Sequence, residues 1–358
     1  MNLSYHVDWP AAEAHLRAFW AGEPLRRPPI HLTVSKPEAE RAELPRPRTA
    51  AQKFFDKDFL LRYAEASLGN RWHVAEALPT CTAGMMAGWL PVYGGRITAD
   101  WDTVWIHKSI QSWDDTPDWE HDWDDAGWRK LRDAVEYLVD AAAGRFFVGL
   151  PPMLPPNDLL SVLREPNAFL MDLVDAPELV LEALGHMTAN LLRMHEELCS
   201  IIHAQFEGIH HHYPVWCPDS LITMQSDVSC MLSPPMFEEF IVPELEQMSQ
   251  TAGRAIYHLD GPGAIKHLDR VLDLYHLRML QWVPGAGQPG GFEHWMRIFK
   301  RAQEKGKMIY LPCAPSQLET AIREFRPELT FLLLGEVGGF EEADELLANA
   351  EKWTAQYW

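Results

Sequence analysis

The stretch Ala255–Gly287, AIYHLDGPGAIKHLDRVLDLYHLRMLQWVPGAG, decides the fold. A short apolar run stops at His258-Leu259-Asp260-Gly261, a helix begins near Pro262, and a second apolar run follows in LRMLQWVPG. Strand, helix and strand in that order form the repeating unit of a parallel sheet. Polar residues stand where each strand ends, His258 and Asp260 on the first and Gln281 on the second, and a parallel sheet presents its working groups there. Two apart in a strand, His258 and Asp260 share a face, so an imidazole and a carboxylate converge on one small volume. Such a pair can act as acid and base or as metal ligands.

The same alternation extends on both sides. Downstream come a helix over residues 291–305, a strand KMIYLPC ending at Cys313, a helix PSQLETAIREF, a strand LTFLLLG ending at Glu336 and a last helix GFEEADELLANAEKW. Upstream, a helix over 128–142 leads to a strand FFVGLP, three helical stretches, a polar strand ITMQSDVS over 222–229 and a helix SPPMFEEFIVPELEQMSQTAG. Short connections between alternating strands and helices imply right-handed crossovers, and the number of units favours a closed (β/α)8 TIM barrel over an open sheet. Nearer the start, residues 10–21 and 49–67 have helical spacing and residues 30–34 read as a strand. The chain is expected to be a single domain over 1–358, with a helical extension over about 1–30 and an irregular Trp-rich elaboration over about 70–128.

Composition limits the function. The chain has 358 residues, 47% of them hydrophobic, and a formal net charge of -20, which argues against nucleic acid or an anionic membrane as partner. Its five cysteines are scattered without a C-x-x-C pair, so free thiols and a cytoplasmic location are expected. The first residues lack the apolar core of a signal peptide, and no apolar run approaches the roughly 18 residues of a membrane span. A soluble, acidic small-molecule enzyme is the class these limits lead one to expect.

The strand ends supply the candidates. Catalytic roles fall to His258, Asp260, Asp227 and Gln281. Trp282, Glu207, His211 and Ser229 are the substrate-binding candidates, Glu207 because it ends a strand-like run. His211 belongs to the run His210-His211-His212, of which at most two can face one centre. Imidazole, thiolate and carboxylate are the ligands zinc takes, so His258, Asp260, Cys313 and Glu336 form a candidate metal set. The rival reading is a metal-free His258 and Asp260 pair moving a proton. Trp101, Trp105, Trp113, Trp119, Trp123 and Trp128, spread among acidic residues, either offer aromatic platforms to a ligand or pack a cap.

Several stretches together carry a resemblance: FVGLPPMLP, DAPELVLEALGHMT, DVSCMLSPPMFEEFIVPELEQM, YHLDGPG and LQWVPGAGQP. From about Ala50 onward the chain resembles the uroporphyrinogen decarboxylase (URO-D) superfamily, (β/α)8 barrels that include corrinoid- and thiol-directed methyltransferases, and the resemblance implies a monomer or homodimer. The true decarboxylases carry an arginine-rich N-terminal motif for the carboxylates of their substrate. Here that region has Arg26 and Arg27 in PLRRPPIHLTVS without the motif, which speaks against uroporphyrinogen itself. In the methyltransferase branch a His-x-Cys ends the strand matching Ala255–Asp260, and a later Cys completes a zinc site. This chain has Asp260 in place of the first cysteine; Cys313 lies one strand early and Glu336 sits nearer the last ligand's place. The resemblance implies methyl transfer from a methylated small molecule to a corrinoid (cobalamin) on a separate protein, or to another acceptor. The alternative is a metal-free decarboxylase or lyase acting on a small polar substrate.

Overall fold

A computed structural model describes residues 3–84, 93–117, 119 and 126–358. In chain order its elements are α1 (Trp9–Ala21), β1 (Ile30–Ser35), α2 (Ala50–Phe55), α3 (Lys57–Gly69), β2 (Arg71–Ala75), β3 (Thr80–Thr82), β4 (Arg96–Ala99), β5 (Val104–His107), α4 (Ala126–Ala142) and β6 (Phe147–Gly149). There follow α5 (Pro156–Arg164), α6 (Pro166–Asp175), α7 (Pro177–His203), β7 (Ile222–Gln225), α8 (Pro234–Phe240), α9 (Val242–Ala252), β8 (Ala255–Asp260), α10 (Leu268–Leu272) and β9 (Leu277–Val283). The last are α11 (Met296–Glu304), β10 (Met308–Pro312), α12 (Leu318–Glu324), β11 (Thr330–Val337) and α13 (Phe340–Tyr357).

The fold is mixed α/β around a parallel-rich central sheet. Seven strands run in the order β2-β1-β11-β10-β9-β8-β7, and every pair is parallel except β1 with β2. β3 and β6 form a second parallel pair, and β4 and β5 an antiparallel hairpin. Among the described residues the ladders make three sheets rather than one recorded ring. The unit expected at Ala255–Gly287 is present as β8, α10 and β9, with Gly261 at φ 73° turning the chain directly after Asp260.

Some expected elements are interrupted. The helix expected over 49–67 breaks at Asp56, which ends α2 and caps α3 by accepting the Phe59 amide at 2.8 Å. The strand expected over 222–229 stops at Gln225 and continues as a short 3-10 turn, Val228–Met231. The strand-like run before Glu207 is instead the end of α7, followed by an irregular loop over 204–221 that pairs with itself only at Ile209 and Cys217. Leu198 and Ile202 are buried in α7 at helical spacing, so the apolar residues of that run serve helix packing.

α1 is sealed into the core rather than loosely attached. Phe19 is wholly buried 6.4 Å from the Phe331 ring, and Trp9 lies edge-on to Phe147 and Trp216 at 5.0 and 5.6 Å. Trp20 donates its indole N–H to the Trp216 carbonyl at 2.7 Å. In the Trp-rich stretch, Trp128 is buried while Trp101 and Trp105 are exposed; Trp123 lies outside the described residues. All five cysteines are free, and among the described residues no helix is long and apolar enough to cross a membrane.

Candidate active site

Parallel pairing aligns Gln225, His258, Gln281 and Tyr310 across β7, β8, β9 and β10. Residues paired in register share a face, so these side chains form one layer. Tyr213 reaches this layer from the loop over 204–221. Its hydroxyl lies 2.9 Å from His258 Nδ1 and donates to Gln281 Oε1 at 3.1 Å. Gln281 Nε2 donates to the Trp282 carbonyl at 3.3 Å, which turns Oε1 toward His258, and Nδ1 donates to it. With Nδ1 carrying the proton, Nε2 keeps its lone pair.

One step further along the strands, Asp227 and Asp260 flank the imidazole. Each of Asp227, His258 and Asp260 offers one ligand-type atom, and these atoms lie within 4.8 Å of one another. Among the described residues this is the one group of three or more His, Cys, Asp or Glu with that spacing. Asp227 is exposed at the strand exit, yet its carboxyl lies above the usual range: crowding by protein raises it, His258 opposes that shift, and Asp260 adds to it.

Behind Asp227 is a polar clamp absent from the sequence-derived candidates. Asp158, buried in the first turn of α5, accepts the amide N–H groups of Asp227 at 3.0 Å and Val228 at 2.9 Å. Its neighbour Asn157 donates Nδ2 to the Gln225 carbonyl at 3.4 Å and to Glu244 at 2.9 Å. Two residues of α5 thus hold the chain where β7 ends. Burial, with Asp227 nearby, raises Asp158 above its ordinary value, and burial pushes Glu244 up to about 8.

The other sequence-derived candidates are distributed as follows. His211 is buried, donates Nε2 to the Leu221 carbonyl at 2.8 Å and stacks on His195 with ring centroids 5.8 Å apart. His210 packs against β6, where a Cβ on Gly149 would lie 2.2 Å from its ring. His211 and His212 both line the cavity described below. Ser229 donates Oγ to the Ser226 carbonyl at 2.6 Å and its own carbonyl accepts from His267 at 3.0 Å, which braces the turn after β7.

Four candidates sit apart from the cluster. Trp282 points to the opposite face from Gln281 and packs 5.0 Å from Trp295. Glu207 is an exposed partner of Arg17 beside α1. Cys313 is buried, donates its thiol to the Ala314 carbonyl at 3.3 Å, and is pushed up to about 12 by burial. Glu336 accepts the Ser35 hydroxyl and pairs with Arg71 at 3.4 Å.

A half-enclosed cavity of about 180 Å³ opens beside His258, lined by Pro152, Met153, Leu154, Leu191, His211, His212, Tyr213, Ile222, Thr223 and Gln225. A larger groove of about 860 Å³ runs between the starts of α2 and α3 and one face of α4. It is shallow, its rim mixes Arg48, Lys57, Arg129 and Lys130 with Asp56, Asp58 and Asp133, and none of the candidate residues lines it. The smaller cavity is the one lined by His258, Tyr213 and Gln225, with Asp227 and Asp260 two residues beyond Gln225 and His258 along the chain.

The three clustered side chains fit a divalent cation. His258 presents Nε2 with its other nitrogen held by an acceptor, two carboxylates complete three donors, and three donors leave positions open for a substrate. The donors are harder than a thiolate set.

No family model matches the chain, and no curated protein matches it. Among solved structures it superposes on a methyltransferase from Methanosarcina mazei with a TM-score of 0.62, over 96% of this chain and 99% of that one, at 12% sequence identity. At that identity the likeness is one of fold.

Proposed function

We propose that this chain is a methyltransferase of the URO-D type, a (β/α)8 barrel that moves a methyl group from a methylated small molecule to a corrinoid carried by a separate protein. The observation that carries the reading is the convergence of Asp227, His258 and Asp260 at neighbouring strand exits, with the imidazole already oriented by Gln281 and Tyr213. In support of the barrel, eight strands, β1, β3, β6 and β7 to β11, each pair parallel to a neighbour. Backbone bonds from Leu150 to the His210 carbonyl at 2.9 Å carry contacts from β6 toward the loop before β7. The fold shared with a methyltransferase along nearly the whole of both chains supports the branch.

Asp227, His258 and Asp260 would hold a divalent cation such as zinc, which when bound supplies a Lewis acid beside the substrate. In this arrangement Cys313 and Glu336 lie outside the ligand group, so Asp227 takes the place expected for one of them. Gln281 and Tyr213 hold the proton on His258 Nδ1, Asp158 aims Asp227, and the cavity positions the substrate. A metal-free lyase or decarboxylase is the second reading, favoured by the raised carboxyl of Asp227 beside His258, which suits proton transfer. Among the described residues the lining of the cavity includes no Lys or Arg to receive a substrate carboxylate, which weighs against decarboxylation.

The test pairs elemental analysis of the purified protein and of His258→Ala with an assay of methyl transfer to free cob(I)alamin from a panel of methylated compounds. One divalent metal per chain that is lost in the variant, with methylcobalamin formed only by the parent, is the expected result. Turnover of a substrate that persists after chelation, without methylcobalamin, would replace methyl transfer with the lyase reading.

A further inference from the structure

We propose that the cavity beside His258 is a binding site for an uncharged organic molecule about the size of one substituted ring, with its polar end toward Thr223 and His258. The assignment deepens the active-site reading by naming the substrate class of that site, and rests on it only for which end of the molecule reacts. Size comes first. Apolar protein cavities of about 150 Å³ hold a benzene ring, and this one measures about 180 Å³. A tetrapyrrole or a corrinoid is several times too large to enter, so either would have to stay outside.

Charge comes second. Among the described residues no Lys, Arg, Asp or Glu lines the cavity. Burial holds His212 down to about 4 and His211 well below its ordinary value. Leu191 and Met153 give apolar walls, and the His212 and Tyr213 rings, 4.1 Å apart, form an aromatic one. An ion entering this space would leave its hydration shell for walls that offer no opposite charge. The carboxylates of Asp227 and Asp260 belong to residues beyond Gln225 and His258 on their strands, and neither residue lines the cavity.

Polarity comes third. Thr223 lines the cavity and shares the face of Gln225, two residues on. Its hydroxyl oxygen is buried and has no hydrogen-bond partner among the described residues. The polar edge that the cavity offers is made by Thr223, Gln225 and His258, and a ligand's polar atom is expected there.

Calorimetric titration of the full chain at pH 7.5 with benzyl alcohol, benzoate and benzylamine tests this, because the three share a shape and differ in charge. Benzyl alcohol is expected to bind at one site, with the two ions weaker by about tenfold or more. Leu191→Trp, which fills the cavity, should abolish the binding. Thr223→Val preserves shape and guards against a misfolded tryptophan variant: it should weaken benzyl alcohol by roughly tenfold while leaving toluene unchanged. An ion that binds as tightly as the alcohol, no binding of the alcohol up to about 10 mM, or a Thr223→Val variant that affects alcohol and toluene alike would overturn the proposal. Binding is read without metal, corrinoid or turnover. Failure of methyl transfer therefore leaves this result standing, and failure of binding leaves methyl transfer open.

Discussion

His258 has one nitrogen committed and one free. Gln281 and Tyr213 hold Nδ1, so the chemistry falls to Nε2, and loss of the holding groups should act through orientation. Gln281→Leu is expected to lower activity or metal affinity by about 10- to 100-fold, whereas His258→Ala removes the ligand itself and should abolish both. Unchanged metal content and turnover in Gln281→Leu would show that the imidazole needs no such support. The residues of this cluster differ in how visible they are in the sequence. His258, Asp260, Asp227 and Gln281 are polar side chains on or just beyond apolar strands, and the two-residue period assigns their faces directly. Tyr213 lies in a loop without periodicity, where nothing local marks it as a partner of residues 45 and 68 positions away. Thr223 was hidden for another reason: inside a strand, a threonine reads as ordinary β-forming material. Trp282, adjacent to Gln281, points the other way because neighbouring strand residues alternate faces.

At the scale of elements, the start of α5 determines where β7 releases its chain. Asp158 accepts two successive amides there, so Asp158→Ala should free Asp227 and leave two buried N–H groups unpaired. A destabilisation of about 1–3 kcal/mol is expected for each such group, with a loss of metal affinity larger than that of a stability-matched core variant. Urea unfolding together with metal titration measures both, and a variant that loses stability but binds metal like the parent would reduce Asp158 to a purely structural cap. A pair of prolines followed by Asn157-Asp158 is a helix-start signal, so the start of α5 could be read in the sequence; what its side chains hold across the fold could not. A second element that holds the fold together is α1, whose Trp9, Phe19 and Trp20 are buried in the core. Phe19→Ala should cost about 3–5 kcal/mol as a buried ring is lost, which a shift in the urea midpoint would register. The expected helix over 49–67 failed at Asp56 because an acidic residue suits both a helix interior's surface and a cap, and only the bend distinguishes them.

Buried ionisable groups give the whole molecule a two-sided pH response. In the folded chain His73 titrates near 3 and His31, His210 and His212 near 4, all through burial, while unfolded histidine takes its proton near 6.5. The unfolded state then binds more protons below about 6.5, so stability falls as pH drops from there toward 4. Glu244 acts in the opposite sense. It stays protonated in the folded chain up to about 8 but ionises from 4.5 when unfolded, so its contribution is lost as pH rises through that window. Glu244→Gln should therefore gain stability relative to the parent between pH 5.5 and 8.5, and parallel urea midpoints at the two pH values would sink this account. Alternation of strands and helices across the second half was legible because each unit is local. Placement of β1 was not: it lies between β2, its near neighbour in sequence, and β11, whose Gly335 carbonyl accepts the Thr33 hydroxyl across 302 positions. That insertion makes assembly order a matter of synthesis. During translation β1 can pair with β2 at once, but its other edge stays open until the final strand has left the ribosome. An early pair of strands with one edge open is prone to sticking to other chains. The growing polypeptide is thus expected to depend on chaperones until its last segment emerges, and a chain cut before Thr330 should accumulate as aggregate rather than as a smaller folded protein.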